Sequence, residues 1–139
     1  MNGHSFLDTN VLVYAYDPTD PRRQSIAENL VRRAIAGDSA ISLQVLGEFA
    51  ATLLHKASVG RTADEVVVIL DILAPIRVVV PDREMVRRAV EANAAYGIHF
   101  YDGLIIAAAE RAGCEKIWSE DLNAGQECFG VRVVNPFAE

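Results

Sequence analysis

The sequence predicts an α/β domain, a single three-layer α/β/α unit with a central, mostly parallel sheet of four to five strands. Three observations carry that expectation. Short β-branched and aliphatic runs alternate along the chain with longer segments of helical periodicity, and such alternation builds a parallel sheet covered by helices on both faces. The 139 residues are the size of one ordinary domain, and no linker-like composition shift, internal repeat or low-complexity tract divides them. One domain over residues 1–139 is therefore expected. Finally, acidic residues recur directly after strands or at the openings of helices.

The elements follow in order. Phe6-Leu7 is a buried strand stopped by Asp8, and Val11-Leu12-Val13-Tyr14 resumes as a short helix. In open α/β sheets ligands bind beyond the carboxyl ends of the strands, so Asp8 stands where chemistry is usually placed. Asp17-Pro18-Thr19-Asp20-Pro21 is a loop on its prolines and aspartates. A helix follows from about Arg22 to Ala36, with Ile26, Leu30, Ala34 and Ile35 on one face, and Gly37-Asp38 ends it. Ala40-Ile41 is a second strand.

Ser42 reads as an N-cap. The helix behind it carries the stripe Leu46, Phe49, Ala50, Leu53, Leu54 and Ala57. Glu48 falls almost opposite that stripe, beside Gln44, Thr52 and His55, and on the helical wheel alone it is a solvated glutamate. Val59-Gly60-Arg61 is a turn. Thr62-Ala63-Asp64-Glu65 is a capping box opening the next helix, with Val66, Ile69, Leu70 and Leu73 inward and Pro75 at its close. Arg77-Val78-Val79-Val80 is a strand stopped by Pro81. Asp82 caps a helix to about Tyr96, with Val86, Ala89, Val90 and Ala94 as its stripe.

Gly97 to Tyr101 is a connection. Asp102 then opens a helix that is apolar almost all round and therefore buried. The dipole at a helix start favours a negative charge, so a plain capping aspartate is the simplest reading of Asp102. Gly113 ends the helix. Lys116-Ile117-Trp118-Ser119 is a strand ending in Glu120-Asp121, Gly125 to Gly130 is a loop, and Val131-Arg132-Val133-Val134 is the last strand before Pro136.

Thirteen basic against nineteen acidic residues give a net charge of -6. This is not the basic excess of most nucleic-acid binders, although carboxylates lining a metal site contribute negative charge that bound cations offset. Cys114 and Cys128 match no zinc spacing and read as two reduced thiols. Met1-Asn2-Gly3-His4 lacks the pattern of a secretory signal, and no run approaches the roughly 18 apolar residues of a membrane span. A soluble, cytoplasmic protein without membrane contact is expected.

In such a sheet the ends of the first and fourth strands lie near the middle. Asp8, Asp102 and Asp121 can converge there, with Glu48 at a neighbouring strand-to-helix junction. Two like charges about 4 Å apart repel by roughly 4 kcal/mol at an effective dielectric near 20. A cluster of carboxylates thus calls for protons or a cation, and hard oxygen ligands suit Mg²⁺ or Mn²⁺. Ions held in this way most often serve phosphate chemistry.

Four segments carry a resemblance. Phe6-Leu7-Asp8-Thr9-Asn10-Val11-Leu12 resembles the opening motif of PIN-domain ribonucleases, and Ile41-Ser42-Leu43-Gln44-Val45-Leu46-Gly47-Glu48-Phe49 resembles their second. Tyr101-Asp102-Gly103-Leu104-Ile105-Ile106-Ala107-Ala108-Ala109 resembles the third, and Trp118-Ser119-Glu120-Asp121-Leu122 the fourth. The match runs in order over essentially the whole chain, and the size fits the VapC-like toxins of type II toxin–antitoxin pairs. The resemblance implies a PIN-like fold and a Mg²⁺-dependent endoribonuclease, with Mn²⁺ able to substitute. In such an enzyme a metal-activated water hydrolyses RNA phosphodiesters to a 5′-phosphate and a 3′-hydroxyl. It implies Asp8, Glu48, Asp102 and Asp121 as the catalytic and metal-holding quartet, with Asp8 and Asp102 as principal ligands and Asn10 and Ser119 as polar support. That reading overrides the helical wheel at Glu48 and prefers Asp121 to Glu120. It also implies a homodimer and a cognate antitoxin.

Arg22, Arg23, Arg61 and Arg83 are candidates for contacts to the RNA backbone, although each alone reads as an ordinary surface arginine. His55 and His99 read as structural or surface residues. Tyr96, Phe100 and Tyr101 read as core. Two other readings compete. A phospho-aspartate phosphatase usually needs Asp-x-Asp, and Asp8-Thr9-Asn10 lacks the second acid. A non-catalytic PIN-fold RNA- or protein-binding domain is disfavoured by the intact quartet, because clustered carboxylates repel phosphate unless a metal is present.

Overall fold

The computed structural model describes residues 4–57 and 59–138. Met1-Asn2-Gly3, read above for a secretory signal, lies outside them. The strands are β1 (Ser5–Leu7), β2 (Ser39–Ser42), β3 (Arg77–Val79), β4 (Lys116–Trp118), β5 (Glu127–Cys128) and β6 (Val131–Val134). The helices are α1 (Thr9–Tyr14), α2 (Pro21–Ile35), α3 (Leu43–His55), α4 (Ala63–Ile72), α5 (Arg83–Tyr96) and α6 (Phe100–Arg111). The sheet order is β3-β2-β1-β4-β6-β5. All pairings are parallel except that of β5 with β6. The sheet exceeds the four to five expected strands because β5, two residues in the Gly125 to Gly130 stretch read as loop, pairs at the edge. A two-residue strand carries no periodicity to detect.

The order places the functional edge. From β1 the chain steps to β2 and then β3 in one direction, and from β3 it crosses back to β4 on the other side of β1. Parallel crossovers are right-handed, so α1 to α4 cover one face while α5 and α6 cover the other. The direction reverses between β1 and β4, whose register sets Leu7 opposite Trp118. Beyond that pair lie Asp8 and Ser119.

Capping accounts for the helix starts. Asp20, Ser42, Thr62 and Asp82 each accept a backbone N–H of the following turn, and Thr62 and Glu65 complete the capping box. Asp102 is not a cap. His99 takes that place, its ring accepting from the Tyr101 N–H, and α6 begins at Phe100. The stretch read as a connection is thus partly helix. The core is the central sheet with the helix faces against it, and α6 is buried from Gly103 through Ala109 as expected.

Several helical stripes are rotated from the reading above. In α2 the buried set is Ala27, Leu30, Val31 and Ala34, with Ile26 and Ile35 at its margin. In α3 it is Val45, Phe49 and Leu53, and Leu54 is exposed. In α5 it is Met85, Ala89 and Ala92, while Val86 and Val90 face outward. The reason in α5 is close packing on α6. A Cβ at Gly103 would sit 2.8 Å from the Ala89 carbonyl oxygen, so only small residues fit where the backbones meet. No helix among the described residues is long and apolar enough to cross a membrane.

This contact gives a stability test of opposite signs. Gly103→Ala forces backbone apart and should lose about 1–3 kcal/mol. Gly47→Ala, at a helical position with nothing within 4 Å, should gain up to about 1 kcal/mol. Chemical denaturation of both variants beside wild type measures the pair.

Candidate active site

Asp8 follows β1 as the N-cap of α1 and is only 5% exposed. Burying a carboxylate requires donors, and three side-chain and backbone groups supply them. Thr9 N–H donates to Oδ1 at 2.8 Å. Ser119 Oγ donates to Oδ2 at 2.6 Å, and Asn10 Nδ2 donates to the same oxygen at 3.2 Å. Ser119, fully buried beyond β4, also accepts the backbone N–H groups of Asp121 and Leu122 at 3.2 Å. Its hydroxyl therefore ties the loop after β4 to the carboxylate after β1.

Asn10 makes the second tie. Its Nδ2 reaches Asp121 Oδ2 at 3.2 Å and its Oδ1 accepts the Glu120 N–H at 3.1 Å. Glu48 enters from α3. Thr9 Oγ1 donates to its Oε1 at 2.7 Å, and Gln44 Nε2 donates to its Oε2 and to the Tyr101 carbonyl, both at 3.3 Å. Gln44 thus links Glu48 to the first turn of α6, which carries Asp102. The Asp102 carboxylate, half-buried, accepts no hydrogen bond among the described residues.

The charges interact. The Asp8 carboxyl is pushed above its ordinary range by burial first, and further by Asp121 and Glu48, against the hydrogen bonds of Ser119 and Thr9. Asp102 is pushed up by burial, opposed by nearby His99 and reinforced by Glu48 and Asp121. None of the ion pairs among the described residues involves these four acids. Glu48 and Asp121 thus lie within electrostatic reach of both Asp8 and Asp102.

No three His, Cys, Asp or Glu side chains among the described residues form a ready-made metal cage. Should a cation bind here, Asp8 would offer a carboxylate held by Thr9, Asn10 and Ser119, and Asp102 one that accepts no hydrogen bond among the described residues.

The PIN-domain family matches residues 5–126, most of the chain. The chain belongs to that family. Solved structures agree with the fold. A toxin–antitoxin complex from Klebsiella pneumoniae is 18% identical with a TM-score of 0.67, over 95% of this chain and 97% of that one. VapC20 of Mycobacterium tuberculosis, a sarcin-ricin loop cleaving toxin, is 19% identical with a TM-score of 0.62, over 84% and 89%. VapBC2 of Rickettsia felis, bound to a DNA fragment from its promoter, is 18% identical with a TM-score of 0.64, over 93% and 96%. No curated protein matches the chain significantly.

In this PIN domain Glu120 and Asp121 diverge. Glu120 pairs with Arg23 at 2.7 Å and accepts the Tyr14 hydroxyl at 2.6 Å, a hydrogen bond that, with burial, pushes that hydroxyl up to about 12 against the opposing pull of Arg23. Of these two side chains, it is the Asp121 carboxylate that accepts from Asn10. The arginines read as RNA contacts are mostly committed elsewhere. Arg22 holds the Phe137 carbonyl, Arg23 holds Glu120 and Asp20, and Arg61 holds the Val59 and Tyr16 carbonyls. Arg83 is exposed at the start of α5. The cation beside the acids is Lys56, in a cleft of about 410 Å³ shared with Glu48 and Asp121. Tyr96 and Phe100 pack against the core, but Tyr101 is 58% exposed.

Thr9 and Gln44 were missed as holders of Glu48. Gln44 stands four residues before Glu48, one helical turn away on the same face, and Thr9 lies inside the first motif, so both signals were present.

The raised Asp102 pKa has a definite sign. Its folded-state value lies above the unfolded one, so the carboxylate's penalty is absent below the ordinary value of about 4 and complete above the raised value. In chelator, Asp102→Asn should therefore melt above wild type at pH 7, with the gap narrowing toward pH 4. A thermal melt at the two pH values reads this.

Proposed function

We propose that this chain, as one PIN domain over residues 1–139, is a metal-dependent endoribonuclease and the toxin of a type II toxin–antitoxin pair. The observation that carries the reading is the acidic centre itself. Glu48 and Asp121 stand within electrostatic reach of both Asp8 and Asp102, and none of the four joins an ion pair among the described residues. Membership of the PIN family and the fold shared with toxins support it.

Each residue has a role in this reading. Asp8 is the rigid ligand, aimed by Ser119 and Asn10. Asp102 is the adaptable one. Glu48 and Asp121 complete the site, fixed by Thr9 with Gln44 and by Asn10 respectively. Lys56 offers a point charge to the RNA backbone. A bound Mg²⁺ or Mn²⁺ would neutralise the carboxylates, polarise the phosphate and lower the pKa of a water for hydrolysis. An antitoxin would cover this acidic cleft, and a homodimer in the cytoplasm is the expected state of the free toxin.

Asp8→Asn and Asp102→Asn should each lower metal-dependent cleavage of a labelled RNA pool by at least about 100-fold. Ser119→Ala, one step removed from the ion, should lower it by about 10–100-fold. Discrete fragments that persist in chelator, or unchanged in Asp8→Asn, would refute the reading. Metal binding has its own readout. At 100 times its Kd, Mn²⁺ should stabilise wild type by about 2.7 kcal/mol and Asp102→Asn by much less, reversing their order in chelator.

A further inference from the structure

Two cavities meet at Asp121. The first is the cleft of about 410 Å³ that contains Glu48 and Lys56. The second, about 230 Å³, is walled by Asp102 and Asp121 and reaches away toward the loop before β5. We propose that this second cavity is a base-reading subsite. It takes the nucleobase next to the scissile phosphate of a single-stranded RNA, and Asn123 and Gln126 read the edge of that base. The proposal rests on the nuclease reading above and adds to it the determinant of sequence preference.

The chemistry of the lining selects a base over a phosphate. No lysine or arginine lines this cavity, whereas Lys56 lines the other. Ile98, Ile106, Leu122 and Val133 supply the apolar part of this cavity's lining. Beyond the carboxylates of Asp102 and Asp121 and the His99 ring, the wall carries two amides, Asn123 and Gln126. Asn123 Nδ2 donates to Gln126 Oε1 at 3.3 Å, which leaves Asn123 Oδ1 and Gln126 Nε2 without a partner among the described residues. One acceptor and one donor side by side match the donor–acceptor pair that base edges present.

The loop that carries them is fixed. Gln126 N–H donates to the Asn123 carbonyl at 3.1 Å, Val133 N–H to the Gln126 carbonyl at 3.0 Å and Gly125 N–H to the Val133 carbonyl at 2.9 Å. Phe129, beyond β5, is pinned in turn, its N–H donating to Tyr96 Oη at 2.9 Å and its ring lying 3.5 Å from the Arg88 guanidinium. Such preorganisation lowers the ordering cost of binding. At the rim, His99 stacks on exposed Tyr101 with centroids 5.9 Å apart and planes 26° apart. The Nδ1 of His99 is engaged by the Tyr101 N–H, so its face and Nε2–H remain for an incoming base. Aromatic faces of this kind are where single-stranded RNA bases stack.

The test uses the four nucleoside 5′-monophosphates, with ribose 5-phosphate as the baseless control, each titrated in Mg²⁺. The side-chain amide NMR signals of Asn123 and Gln126 are the readout. One nucleotide should move them with a Kd at least about fivefold below that of the poorest, and ribose 5-phosphate should not move them. Gln126→Ala and Asn123→Ala alter side chains on the loop surface, so they should fold and erase the preference. Equal shifts from all five ligands, or none, overturn the subsite. A parallel cleavage assay separates the two claims. RNA cut with a base preference that both variants keep overturns the subsite and leaves the nuclease standing. Nucleotides that bind selectively while RNA is never cut sustain the subsite and overturn the nuclease.

Discussion

The buried Asp8 carboxylate sets the terms for the rest of this structure. A charge with 5% exposure survives only if donors surround it, and the chain places those donors where β1 and β4 run parallel. Leu7 lies opposite Trp118 and Asp8 N–H bonds the Trp118 carbonyl at 3.0 Å. That pairing delivers the Ser119 hydroxyl to Asp8, and Ser119 in turn orders Asp121 and Leu122. A doubly wound sheet has this property at the point where its connections reverse. Ligands in such sheets bind in the crevice at that point, beyond the carboxyl ends of the strands.

Around that carboxylate the protein accepts electrostatic strain. Burial and neighbouring acids raise both Asp8 and Asp102, and neither joins an ion pair among the described residues. The nearby Arg23 is instead committed to Glu120 and Asp20. Strained sites of this kind commonly trade stability for function. The uncompensated charge is the feature a divalent cation would relieve.

Much of this was legible in the residues because local chemistry specified it. The caps at Ser42, Thr62 and Asp82, the buried run of α6 and the parallel order of the main strands followed from short-range patterns. What escaped was set at long range. The inward face of α5 depends on how closely Ala89 meets Gly103, which a helical wheel cannot register. The wheel put Glu48 in solvent, and it is indeed exposed. Its orientation toward the acidic centre comes from Thr9 and Gln44, across packing that no single helix encodes. Glu120 and Asp121 were separated in the sequence only by the resemblance of their motif. Tyr14 and Arg23, which capture Glu120, come from distant segments.

The central claim is that these carboxylates form a divalent-cation site, and anomalous diffraction from crystals grown in Mn²⁺ tests it most directly. The account predicts an anomalous peak within about 2.0–2.2 Å of an Asp8 oxygen and an Asp102 oxygen, with waters filling the remaining positions. An Asp8 carboxylate still bound only to Thr9, Asn10 and Ser119, with no peak in the acidic cleft at saturating Mn²⁺, would contradict it.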